Sequence, residues 1–141
     1  MSDETKTPED RRHSHGPGTL RLGSILPAIT ANDLQASLNF YCDVVGFHLA
    51  EKFEHEGVVG GAALVAGECR LMLSQDDGAK GERVKGQGIR IYLQTTQNVD
   101  DVAAAIKGRG GELASEPEDM PWGSRAFNLV DPDGILLTIS S

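Results

Sequence analysis

The sequence predicts an α+β protein built from two tandem β-α-β-β-β modules that share one core. Three observations lead there. Short alternating apolar runs, the period of half-buried strands, surround only two amphipathic helical stretches. The order of these runs is the same in both halves of the chain. A shift of 65 residues places Asn98 on Asp33, Val99 on Leu34, Ile106 on Tyr41 and Gly111 on Gly46, so the helix start and the helix-to-strand glycine recur together.

Residues 1–20 carry Met1 and Leu20 as their only sizeable apolar side chains, among charges, Pro8, Gly16, Pro17 and Gly18. Such a segment cannot offset its own ordering entropy and is expected to be a disordered tail. Its His13 and His15 would be a poor metal site on so mobile a stretch. The first module spans 21–75. Residues 24–30 read as a strand, Asn32-Asp33 as a helix cap, and Leu34, Leu38, Tyr41 and Val45 as a helix that Gly46 stops. Strands follow at 47–53, 58–66 and 69–74, separated by the turns Glu54-His55-Glu56-Gly57 and Gly67-Glu68. Residues 76–88, polar and glycine-rich, form a linker or mobile loop. The second module, 89–141, repeats the order. It has a strand at 89–94, a helix through Val99, Val102, Ala103 and Ile106, and strands starting at 112, at 124 and at 135. The last is reached through Asp131-Pro132-Asp133-Gly134. Neither module covers both faces of its own sheet, so the two are expected to form one domain overall.

The formal charge is −8, and about −7 of it lies outside the first twenty residues. That balance, with no basic stripe, argues against nucleic acid and anionic lipid as partners. No apolar run approaches a membrane span, and the first residues lack the pattern of a secretory signal. Two cysteines without motif spacing, Cys42 and Cys69, fit a cytosolic protein with reduced thiols.

Three stretches resemble the vicinal oxygen chelate superfamily, which contains glyoxalase I, extradiol dioxygenases, and fosfomycin- and bleomycin-resistance proteins. They are Asn32 through Tyr41 with Val45-Gly46-Phe47, Asn98 through Val102 with Gly110-Gly111, and Phe127 with Asp131 through Leu137. The segment Pro121-Trp122-Gly123-Ser124-Arg125 is most similar to the bleomycin-resistance branch. The resemblance implies two curled sheets, with helices on the convex faces and a ligand in a cleft on the concave ones. It also implies a homodimer, because the family often builds its cleft from modules of two chains.

Alternation along the strands sorts side chains between those faces. Ile25, Pro27 and Ile29 are expected to pack on the helix side, as are Leu71 with Leu73, Ile89 with Ile91 and Leu93, and Ile135 with Leu137 and Ile139. The cleft then receives Leu26, Ala28, Thr30, Arg70, Met72, Ser74, Arg90, Tyr92, Gln94, Leu136 and Thr138. At the four positions where metal-dependent relatives place their ligands, the resemblance puts Leu26, Met72, Arg90 (or Ile91 in a shifted register) and Thr138. A leucine and an arginine cannot ligate, and a thioether and a hydroxyl are poor ligands for hard divalent ions. No metal and no other cofactor are therefore expected.

Six residues are candidates for ligand binding. Arg90 and Tyr92 are either an anion or carbonyl recognition pair or an internal ion pair with a carboxylate. Met72 is an adaptable apolar wall or simple core filling. Trp122 either stacks on a planar or cationic ligand or anchors an interface, and Phe53 is an aromatic of the rim. Thr138 completes the set on the last strand. His48 and His55 have no evident partner and are not assigned a catalytic role. The leading function is a binder that carries or sequesters a small aromatic or cationic molecule. The alternatives are an enzyme of lyase, isomerase or dioxygenase type with a metal-free or relocated active site around Arg90 and Tyr92, and a docking module with no small ligand.

Overall fold

The fold follows from where the apolar alternation is interrupted. In the computed structural model the described residues are 19–141, so the tail expectation for residues 1–18, with His13 and His15, falls outside them. Strand β1, Ala28–Ala31, ends where Asp33 turns its carboxylate onto the Ala36 N–H, 3.2 Å away, and caps the next helix. That helix, α1, is α-helical over Leu34–Leu38 and continues with wider π turns over Asn39–Val45. Gly46 ends it at φ +113°, a conformation a side chain disfavours, and the Gly46 and Phe47 N–H groups both donate to Tyr41 O. Strands β2, His48–His55, β3, Val58–Ala66, and β4, Cys69–Gln75, complete the first module. The second contains β5, Arg90–Gln94, α2, Val99–Gly108, β6, Ser115–Asp119, β7, Arg125–Val130, and β8, Leu136–Ser140. Asn98 caps α2 through the Asp101 N–H, as Asp33 caps α1.

Two four-stranded mixed sheets result, ordered β1-β4-β3-β2 and β5-β8-β7-β6. The first and last strands of each module pair in parallel, β1 with β4 and β5 with β8, and the other pairs are antiparallel. The sheets are curled and do not close into a barrel. Leu34, Leu38 and Tyr41 of α1, and Val99, Ala103 and Ile106 of α2, join Leu64, Leu71, Leu73, Phe127, Leu129 and Leu137 in one continuous core.

The modules meet through reciprocal contacts between positions that the 65-residue shift makes equivalent. A Cβ on Gly111 would lie 2.8 Å from Val44 Cγ1, and one on Gly46 would lie 3.2 Å from Arg109 Nη2. Arg109 also donates to the carbonyls of Val44, at 2.8 Å, and Val45, at 2.9 Å, satisfying the open end of α1. The turn between β7 and β8 adds a polar clasp. Buried Asp131 accepts from Tyr41 Oη at 2.7 Å, and Asp133 accepts from the Asn32 N–H at 3.0 Å and from Ser37 Oγ at 3.4 Å. Burial, reinforced by the Asp131 charge, pushes the Tyr41 phenol well above its usual pKa.

The structure departs from the sequence expectations at several edges. β1 starts at Ala28 rather than residue 24, leaving Ile25 at 90% exposure instead of packed, with Leu26 at 44%. Ile89 is 47% exposed and precedes β5. β6 occupies Ser115–Asp119 rather than residues 112–115, because an edge strand tolerates the missing N–H of Pro117. Residues 76–88 keep loop geometry but are fastened. Lys85 Nζ lies 2.7 Å from Asp76 Oδ2 and donates to Asn32 Oδ1, and Gly86 packs directly on the Gly134 backbone. Among the described residues no helix is long and apolar enough to cross a membrane.

Candidate ligand-binding cleft

The concave face of the second sheet gathers three of the six candidates. Strand register sets Arg90 opposite Leu136 and Tyr92 opposite Thr138, with Asn128 on the other side of Thr138. Arg90 Nε–H donates to Thr138 Oγ1 at 2.9 Å, and the Thr138 hydroxyl donates to Asn128 Oδ1 at 2.6 Å. The guanidinium carbon stands 4.9 Å from the centre of the Tyr92 ring, within cation–π range. Thr138 is 2% exposed, so this hydroxyl must satisfy itself within the protein. Arg90 and Tyr92 are exposed above it. Of the two sequence readings for Arg90, the internal ion pair is absent among the described residues: its partners are a hydroxyl, an amide and a ring.

The first sheet presents a different surface. A cleft of about 680 Å³ lies against β2–β4, lined by Phe53, Met72, Ser74, Gly61, Glu54 and Glu56. Phe53 lies over Gly61, where a Cβ would come within 3.5 Å of the ring. Met72 is half-buried and faces Ala28 across the parallel pairing. Arg90, Tyr92, Thr138 and Trp122 do not line this cleft, so one chain holds the six candidates as separate groups. Trp122 is 68% exposed on the turn between β6 and β7, where Gly123 takes φ +101°. His48 is exposed on β2, and His55 lies 3.8 Å from Glu56 at the exposed end of the same strand.

Two features were missed by the sequence reading. Asn128 orients Arg90 and Thr138, and its place between Phe127 and Leu129, both fully buried, was the signal that it faces the cleft. Glu54 and Glu56, read only as part of a turn, line the first-sheet cleft.

The residues at the four positions that the resemblance assigns to metal ligands do not fit a metal. Leu26 has no donor atom, Met72 offers only a thioether, and the Arg90 cation is bonded to the Thr138 oxygen. Among the described residues no group of three or more His, Cys, Asp or Glu side chains is placed to hold an ion.

The profile described as Glyoxalase/Bleomycin resistance protein/Dioxygenase superfamily matches residues 21–139. A protein named Bleomycin resistance protein, from Geobacillus stearothermophilus, is 28% identical over 126 residues, covering 80% of this chain and 92% of the relative. A Probable lactoylglutathione lyase from Synechocystis sp. is 26% identical over 111 residues, covering 75% of this chain and 85% of the relative. The crystal structure of TioX from Micromonospora sp. ML1 superposes with a TM-score of 0.68 at 20% identity, covering 84% of this chain and 98% of that one. At that identity the last likeness speaks for the fold alone.

Proposed function

The chain belongs to the Glyoxalase/Bleomycin resistance protein/Dioxygenase superfamily, and from that premise we propose that it binds a small organic molecule on its concave sheet faces without a metal. The observation that carries this reading is the donor set. At the positions where the resemblance puts the family's ligands stand Leu26, Met72, Thr138 and Arg90 (or Ile91 in a shifted register), and the Arg90 guanidinium is fixed by Thr138. The relatives named Bleomycin resistance protein favour a small organic molecule as the ligand of such a cleft. Phe53 and Met72 supply an apolar wall for an aromatic ring, and Glu54 and Glu56 supply charge for a cationic group. Tyr92 and Trp122 add further aromatic surface. In this reading a second copy of the chain brings the two faces together, and the protein works in the cytosol.

Two measurements test it. Equilibrium dialysis of the chain carrying His13→Ala and His15→Ala against zinc, nickel, manganese and iron(II) is expected to leave far less than one ion per chain. Titration with planar aromatic compounds is expected to quench Trp122 emission and raise the melting temperature saturably. Tight uptake of one ion per chain, or a panel of such compounds with no effect, ends the reading.

A second reading is favoured by the relative named as a probable lyase. In it the free side of the Arg90 guanidinium stabilises an enolate or polarises a carbonyl. Turnover that is lost in Arg90→Ala with the fold intact is the result this version requires.

A further inference from the structure

Arg90, Thr138 and Asn128 form a hydrogen-bond chain whose unused valences are donors. Arg90 Nε–H donates to Thr138 Oγ1, which leaves the Thr138 proton for Asn128 Oδ1. Arg90 Nη2 also faces that oxygen, at 3.5 Å. Neither a guanidinium nor a hydroxyl proton bonds to an amide NH2, so the Asn128 amide is fixed with its oxygen inside the cluster. The remaining Nη hydrogens of Arg90 and the Nδ2 hydrogens of Asn128 are left without acceptors in the cluster.

The charge of Arg90 is also unneutralised. Arg125 pairs with Asp100 and Asp119, and Arg83 lies 3.7 Å from Asp76, but among the described residues Arg90 has no carboxylate partner. Glu118 shares the sheet, opposite Ala126, and makes no ion pair with it. A chain with 21 acidic and 13 basic side chains offers partners freely. Here a guanidinium is instead held by a buried hydroxyl, an amide oxygen and a ring. Those contacts restrict its rotamers and leave its outer edge free, which is the preparation a bidentate oxyanion contact needs. Beside it lie the 51% exposed Tyr92 ring and the half-buried Leu136.

We propose that this cluster is an oxyanion subsite that takes the carboxylate of a planar aromatic acid, with Arg90 and Asn128 as donors and Tyr92 and Leu136 as the apolar floor. The proposal rests on the cleft reading above and adds an anionic group on the second sheet, apart from the cationic group assigned to Glu54 and Glu56 on the first. The test is calorimetric titration of the full chain with naphthoate, naphthylmethanol and naphthylmethylammonium, which share a ring system and differ in charge. Naphthoate is expected to bind at least about tenfold more tightly than naphthylmethanol, the difference one charge-assisted contact supplies. Arg90→Gln is expected to abolish that preference, and Arg90→Lys to keep only part of it, for want of the planar fork. Circular dichroism reports whether each variant folds. If Arg90→Gln does not fold, the shift of the Arg90 Nε–H nuclear magnetic resonance signal with naphthoate, and its absence with naphthylmethanol, carries the test. Equal binding of acid and alcohol, or a preference that survives Arg90→Gln, overturns the subsite and leaves the cleft reading standing. If none of the three compounds binds, both fall.

Discussion

Replacing Tyr41 by Phe removes one oxygen from the junction of the two modules and isolates the contribution of the polar clasp. The Tyr41 hydroxyl, on a side chain 1% exposed, donates to Asp131 Oδ2 at 2.7 Å. The other oxygen, Asp131 Oδ1, accepts the N–H groups of Asp133 at 2.9 Å and Ile135 at 2.8 Å. The variant therefore keeps a buried carboxylate that is held on one side only. A hydrogen bond to a charged group contributes about 1.5–3 kcal/mol, and since the ring remains there is little cavity to add. The expected loss is about 2–3 kcal/mol in urea with an unchanged slope, or roughly 6–12 °C in melting temperature for a chain of this length. The alkaline limb gives an independent readout. Burial and the Asp131 charge raise the Tyr41 pKa in the folded state, so the folded chain keeps a proton that the unfolded chain releases. This phenol's contribution is complete below about pH 10 and declines as the pH rises beyond it, by about 1.4 kcal/mol per pH unit. The phenylalanine variant has no such decline, so the stability gap between the two proteins should narrow above about pH 10. A loss below about 0.5 kcal/mol, or a gap that stays constant into alkali, would refute the reasoning.

Two further perturbations address the junction and the linker. A Cβ on Gly111 would fall 2.5 Å from Ile106 Cγ2 and 2.9 Å from the Ile106 carbonyl, whereas one on Gly108 meets nothing within 4 Å. Gly111→Ala should therefore cost about 1–3 kcal/mol, and Gly108→Ala should be neutral or stabilising by up to about 1 kcal/mol. Thermal melts of the pair decide it, and equal effects would remove the argument from close packing. Hydrogen bonds from Lys85 first, and from the Gly78 N–H second, lower the Asp76 pKa in the folded state. Their contribution is present above the ordinary carboxylate range and disappears as the pH falls through the depressed value. Lys85→Met should flatten that acid limb, and superimposable acid titrations of the two proteins would show that the clasp contributes nothing.

The sequence made the repeat legible because its signals are local. Asp33 and Asn98 cap their helices, and Gly46 takes the left-handed conformation expected of a helix stop. Alternation also sorted the strand faces, since Leu71, Leu73, Ile135, Leu137 and Ile139 are buried while Arg90 and Tyr92 are exposed. It failed at Ile25, where an apolar residue in the right rhythm has no strand to pair with beyond Ala28. The clasp was beyond reach for another reason. Asp-Pro-Asp-Gly announces a turn by its own chemistry, but nothing local says that its carboxylates turn inward to Tyr41, Ser37 and Asn32. The Arg90 cluster was half visible, as a pair of residues on one strand. Its orientation depends on Thr138, which the parallel register of β5 with β8 brings beside it, and on Asn128, which the antiparallel register of β7 with β8 adds.

The bond between Tyr41 and Asp131 joins residues 90 positions apart. At a synthesis rate of roughly 5–20 residues per second, the ribosome adds Asp131 about 5–18 seconds after Tyr41. During that interval the first half can fold its own sheet, but the phenol of its helix lacks its acceptor and the neighbouring Val44 lacks Gly111. The last turn made is thus the one that seals the first helix, and a chain stalled before it would display that helix to whatever waits at the tunnel exit.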